Sequence, residues 1–223
     1  MTRYTIRRAS SSLDLAAPFA TGDWGTAEEG RVAHFWPTSS AHRPEVRFRV
    51  LHDDTNVYVK FEVQDCYVRS LQMAYQGMVC MDSCVEFFVA PRVGAGYFNF
   101  ETNAGGTLLL YYIEDPTRLP AGGFVKYTPV PAACGRRVRI WHSLPAVVDP
   151  EIATPVTWGL GYCLPVTLLE DYTGPLGRLS GQVWRGNFFK CGDHTSHPHW
   201  AAWSPIAKLN FHLPECFGEL EFV

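Results

Sequence analysis

The sequence predicts an all-β fold, an antiparallel sandwich or barrel with long loops and little helix. Three observations carry this. Runs with a two-residue hydrophobic period recur from Glu45 to the C-terminus, separated by Gly, Pro, Asn and Asp. Amphipathic helical spacing is almost absent between them. Aromatic residues make up 14% of the 223-residue chain, a share that suits a pleated core. No internal repeat or linker divides the chain, so residues 1–223 are expected to form a single domain.

Taken in order, YTIRR near the start reads as an edge strand. From Asp14 to Glu45 the chain is rich in Gly, Pro, Ser and Thr, and reads as a long loop with one short helical turn, packed down by Trp24, Phe35 and Trp36. The clearest local signal follows. Val46, Phe48 and Val50 alternate with Arg47 and Arg49, HDDTN supplies a turn, and Val57, Val59, Phe61 and Val63 alternate with Tyr58, Lys60 and Glu62. That is an antiparallel hairpin with one buried and one wet face. The run from Asp65 to Val79 has mixed spacing and reads as an excursion over one end of the sheet.

CVEFFVA and YFNFETN, joined by APRVGAG, form the central strand pair. In the second strand Phe98, Phe100 and Thr102 share one face, and Tyr97, Asn99, Glu101 and Asn103 the other. Glu86 places a carboxylate inside an apolar run, where burial needs a partner. A face with amides and carboxylates in a row suits a polyhydroxylated ligand as well as it suits plain solvent. TLLLYYIED reads as a further strand and Asp115–Gly123 as a loop. RRVRIWHSL has Val138 and Ile140 inward, and TWGLGYCLPVTLLE continues as a strand. In VWRGNFF, Arg185 and Asn187 share a face, and Arg139 on RRVRIWHSL adds another guanidinium fork able to grip hydroxyls. Trp200 and Trp203 either stack on a sugar ring or plug the open end of the sandwich. GELEFV closes the chain as a strand.

Several functions are disfavoured. The net charge of −3 leaves no electrostatic footprint for nucleic acid. No apolar run approaches the length of a membrane span. There is no P-loop, GxGxxG or GxSxG, and no catalytic residue is assigned. Three histidines, His194, His197 and His199, are crowded into one loop beside Cys191 and Asp193, with spacing unlike a zinc site, so no metal ligand is assigned. HDDTN and Glu170-Asp171 offer oxygens, but turn chemistry explains them equally well. Seven cysteines without a CxxC pair suggest reduced thiols and a cytoplasmic setting, and no secretory leader is visible.

The blocks DSCVEFFV, YFNFETNAGG, WRGNFFKCGD, HWAAWSP and FHLPECFGELEF, in that order, resemble the carbohydrate-binding family 9-like domains, relatives of the family 9 modules of xylanases. The resemblance implies an immunoglobulin-like sandwich that binds mono- or oligosaccharides without cleaving them, in the service of polysaccharide (xylan) degradation, on a secreted or surface protein. It also implies a tryptophan clamp and structural Ca²⁺, the one cofactor left open, since no calcium ligands are recognisable here. Asp82 and Glu86 match the family's Asp-x-x-x-Glu, and the C-terminal clamp tryptophan falls at Trp200 or Trp203. The other clamp position carries Cys80; either Tyr75, Trp36 or another aromatic replaces it, or the site has changed. The expected ligand-binding set is Glu86, Asn99, Glu101, Asn103, Arg139, Arg185, Asn187, Trp200 and Trp203. The alternatives are a glycan-active hydrolase or lyase using Glu86 or Glu101, and a haem-binding sandwich.

Overall fold

The computed structural model describes residues 2–223. Its strands are β1 (Arg3–Arg8), β2 (Gly30–Arg31), β3 (His34–Phe35), β4 (Glu45–His52), β5 (Asn56–Asp65), β6 (Val68–Ser70), β7 (Cys84–Ala90) and β8 (Tyr97–Asn103). Then follow β9 (Leu108–Arg118), β10 (Phe124–Pro129), β11 (Arg139–His142), β12 (Val148–Ile152), β13 (Val156–Pro165), β14 (Val183–Cys191), β15 (Trp200–Ala202) and β16 (Gly218–Phe222). Three short helices interrupt them: α1 (Gly22–Thr26), α2 (Ala132–Gly135) and α3 (Val166–Thr173).

Two layers pack face to face. The front sheet runs β10-β9-β8-β7-β14-β16-β1 and the back sheet β1-β4-β5-β13-β11. The first strand joins them: Arg3–Ile6 pair with β16 and Arg7–Arg8 with β4, both in parallel, whereas the other described pairings are antiparallel. The expected edge strand is therefore an interior joint. Its alternating Tyr4 and Ile6 are both buried, so each side has a partner to cover.

The predicted hairpin is β4 and β5, with Val50 opposite Val59 and Phe48 opposite Phe61. Their apolar face meets Phe87, Phe98, Phe100, Trp184 and Phe188 of the front sheet. Phe188 stacks on Phe48 with ring centroids 3.7 Å apart and on Phe87 at 4.8 Å, fixing the spacing of the layers. The opposite face is not wet as expected. Leu13, Leu15 and Trp24 pack over Leu51 and Tyr58. Arg49 donates to the carbonyls of Trp24 and Ala27, and Lys60 to those of Leu15 and Ala17, so both cations are buried on carbonyl partners, with Arg49 Nε left unbonded. Burial pushes the Lys60 ammonium down to about 8.

Two other expectations are corrected. Residues 166–173 are helical and do not extend the strand: Pro165, the last residue of β13, cannot donate to the ladder and serves as the extended N-cap of the helix. Val166, Leu169 and Thr173, spaced three and four apart, form its buried stripe together with Leu168. Asp115–Arg118 remain in strand β9, which pairs with β10 through register shifts, so the loop shrinks to residues 119–123. The turn between β7 and β8 is as read, with Gly94 and Gly96 at φ +76° and +86°.

The histidine loop does not converge on a metal. His197 stacks on Tyr67 at 3.6 Å, while His199 accepts from the buried Lys190 ammonium at 2.8 Å and donates to the His197 carbonyl. Asp65 completes this internal network, bonded to Trp158 and His42. No described helix is long and apolar enough to cross a membrane.

Candidate functional site

The outer face of the front sheet is where the polar row falls, and it is largely covered. The residues after Trp203 fold back across β7, β8 and β14. Phe211 stacks on Phe189 at 4.1 Å and Phe217 meets Tyr97 edge-on at 5.3 Å, giving a second apolar cluster with Phe88, Ile113 and Phe124. Beside it the cover is incomplete and leaves a cavity of about 730 Å³.

Glu86, Asn99 and Glu101 line this cavity. Antiparallel register places Glu86 directly across from Glu101 and Phe88 from Asn99. The Asn99 amide donates to Glu101 Oε1 at 2.8 Å, and its oxygen accepts from the Tyr111 N–H at 2.6 Å. Glu86 Oε1 accepts from the Cys191 thiol at 3.2 Å, but Oε2 has no partner although Glu86 is only 2% exposed. An orphaned buried oxygen costs about 1–3 kcal/mol.

Burial, with the facing Glu101 charge, holds Glu86 protonated far above the ordinary carboxylate range. Burial likewise lifts Glu101 to about 7, against the opposing hydrogen bond from Asn99. Asp193, on the same wall, is raised by burial and accepts from Trp200 Nε1 at 2.7 Å. His212 stands 4.0 Å from Glu101, but burial depresses it to about 3, so it is a neutral neighbour and no counter-ion. Its Nδ1 is tied to the Tyr97 hydroxyl at 2.9 Å. Arg118 lies over the Phe124 ring, 4.2 Å from its centroid.

Of the expected set, the fold brings together Glu86, Asn99, Glu101 and Trp200. The other five do not line the cavity. Asn103 points the same way but is consumed at the hairpin turn, donating to Gln72 O and Asp82 Oδ2 and accepting from Thr107 N–H. Arg139 sits on β11, at the far edge of the back sheet, beside the Cys163 thiol. Arg185 reaches the Phe217 carbonyl, and Asn187 clips Ser204 through both its N–H and its carbonyl. Trp203 is a core residue, edge-on to Phe48 at 5.9 Å and to Phe188 at 5.6 Å. Asp82 is structural: buried, it accepts from the N–H groups of Leu71 and Gln72 and so pins the excursion after β6. That excursion supplies Met78 and Cys80 to one wall.

The cavity residues that sequence reasoning missed are Tyr111, Arg118, Tyr127, Asp193 and the 208–212 run. Tyr111 was within reach, since it alternates with Leu109 and pairs with Asn99 across the strands. The 208–212 run carries no periodic signal. Neither Tyr75 nor Trp36 takes the place opposite Trp200; Tyr75 instead donates to Val130 O. The oxygen sets considered for Ca²⁺ do not fit it. Asp53 is occupied by Thr55, Asn56 and Tyr58, and Asp171 pairs with Arg137.

Comparison with known proteins bears on this geometry. A candidate carbohydrate-binding protein from Bacteroides uniformis is similar in structure over 99% of both chains, with 29% identity and a TM-score of 0.83. A family 9 carbohydrate-binding module from Caldicellulosiruptor kristjanssonii, solved with cellotriose, covers 99% of this chain and 93% of its own at 13% identity and TM-score 0.65. The glucose complex of a module from that organism gives 13% identity and 0.62, over 100% and 96% of the two chains. No curated protein matches the chain. The model of carbohydrate-binding family 9 matches residues 30–222, which hold every strand but β1 and every cavity residue, and the chain belongs to that family.

Proposed function

We propose that this domain binds a saccharide without cleaving it, in the cavity floored by Glu86, Asn99 and Glu101. One observation carries the reading: the unpartnered Oε2 of Glu86 in a cavity bordered by Trp200, Tyr111 and Tyr127. Protonated Glu86 and the Asn99–Glu101 pair offer a donor and acceptors to ring hydroxyls, and an aromatic wall offers a face for C–H stacking. Family membership supports sugar as the ligand class. Relatives solved with cellotriose and glucose make those two the first probes, with xylan fragments beside them. A contribution to polysaccharide degradation would follow from such binding.

The hydrolase alternative is less well supported. A glycosidase needs carboxylates flanking the scissile bond. Glu86 and Glu101 are register partners on one floor, so a sugar rests on both rather than between them.

Isothermal titration against these sugars tests the proposal. A dissociation constant between about 10 µM and about 1 mM is expected. Trp200→Ala should weaken it about tenfold and abolish any ligand-induced change in tryptophan emission. Silence with every mono- and oligosaccharide would remove the reading.

A further inference from the structure

Two carboxylates directly opposite each other on neighbouring strands lie about 5 Å apart at Cβ and repel when both are ionised. Glu86 and Glu101 have this relation, both buried and both on the cavity wall. Such a pair persists only with a proton or a cation shared between its members. None of the cations nearby does this. Arg118 is held over Phe124, and neither it nor Lys208 forms an ion pair with these carboxylates among the described residues. Asp193 adds a third acid to the same wall. The charges of Arg118 and Lys190 reach Glu101 and Glu86 from a distance, Lys190 being bonded to the Cys191 carbonyl and His199. The other groups facing the pair carry no positive charge: the thiols of Cys80, Cys84 and Cys191, the Tyr97 and Tyr111 rings, and neutral His212.

Beyond the contacts from Asn99 and Cys191, a neutral hydroxyl has one proton to donate and reaches only one of the two carboxyl groups. An alkylammonium has three donors and a full charge, and reaches both. Resting on the saccharide reading above, we infer that the preferred ligand is a sugar with a free amine, its ammonium seated between Glu86 and Glu101. The apo pair keeps at least one proton that the ammonium replaces. Binding therefore expels that proton to buffer, and affinity rises with pH while the amine stays charged.

The test is titration calorimetry on protein dialysed against EDTA, from about pH 5 to about pH 7, in buffers of differing ionisation enthalpy. The 2-amino forms of glucose, galactose and mannose are compared with the parent sugars and their N-acetyl forms. One amino sugar should bind about tenfold more tightly than its parent near neutral pH, as expected for one charge-assisted contact. Its observed heat should reveal proton release, and acetylation should erase the advantage. Glu101→Gln should bring the amino-to-parent ratio close to one. Parent sugars binding as well as amino sugars, or no proton released, would overturn the inference and leave saccharide binding intact. No heat from any sugar would overturn both.

Discussion

At Glu86 the fold tolerates a cost that a glutamine would not incur. Its folded-state pKa lies well above the unfolded value of about 4.5, so the native state holds a proton that the unfolded chain releases. The stabilisation from that proton is complete below pH 4.5 and is lost as pH rises toward the folded value. Glu101, raised to about 7, behaves the same way. Glu86→Gln keeps the shape and removes the ionisation. In urea unfolding it should leave stability unchanged near pH 4.5 and raise it progressively toward pH 7.5. Equal effects at both pH values would mean that Glu86 is not protonated in the folded protein. Sequence reasoning found this residue because a carboxylate within VEFFV needs an explanation; its thiol partner, Cys191, is 105 residues distant.

At the scale of the element, the decisive piece is the irregular segment after β15. It has no periodicity, yet it buries Phe211 and Phe217 on the outer face and presents Asn210, Phe211 and His212 to the cavity. Asn187 anchors it, accepting from Ser204 N–H at 2.8 Å and donating to Ser204 O at 3.0 Å. Asn187→Ala leaves these buried groups without partners and should destabilise the protein by about 2–3 kcal/mol in urea unfolding. Limited proteolysis should then cut first within residues 204–217, with sugar affinity falling in parallel. Cleavage elsewhere would show that the segment is held by its aromatics alone. Arg185 and Asn187 share a face of β14, as the alternation predicts, and the covering segment uses their polar groups itself.

For the whole molecule, acid is the informative perturbation. His199 and His212 are buried in different places, one beside Lys190 within the sandwich and the other over the outer face, and burial depresses both to about 3. Between pH 6.5 and 3 the unfolded chain takes up protons that the native state refuses. Their contribution is complete above pH 6.5 and lost as pH falls toward 3. By themselves the two histidines lower stability from about pH 6.5 to about pH 5, and His212→Gln should reduce the proton uptake on unfolding in that window by up to one. An uptake unaltered by this change would mean that His212 is already charged in the native protein. The opposite trend at Glu86 and Glu101 gives a stability optimum that either set of substitutions should shift.

The sequence by itself determined most of the long strands, the inward faces of β4, β5 and β8, and the polar row Asn99–Glu101–Asn103, because a two-residue period and local turn chemistry are properties of neighbouring residues. It also carried enough ordered motif blocks to identify the family, which the match over residues 30–222 bears out. Tertiary structure alone decided which polar groups face a cavity and which are spent on internal bonds. Asn99 and Asn103 share a face, yet one lines the cavity while the other fastens a turn to Asp82. Trp200 and Trp203 are three residues apart, yet one borders the cavity and the other packs in the core. The difference arises from segments distant in sequence laid across the sheet. Their placement follows from burial of apolar area, which has no direction and leaves no local pattern to read.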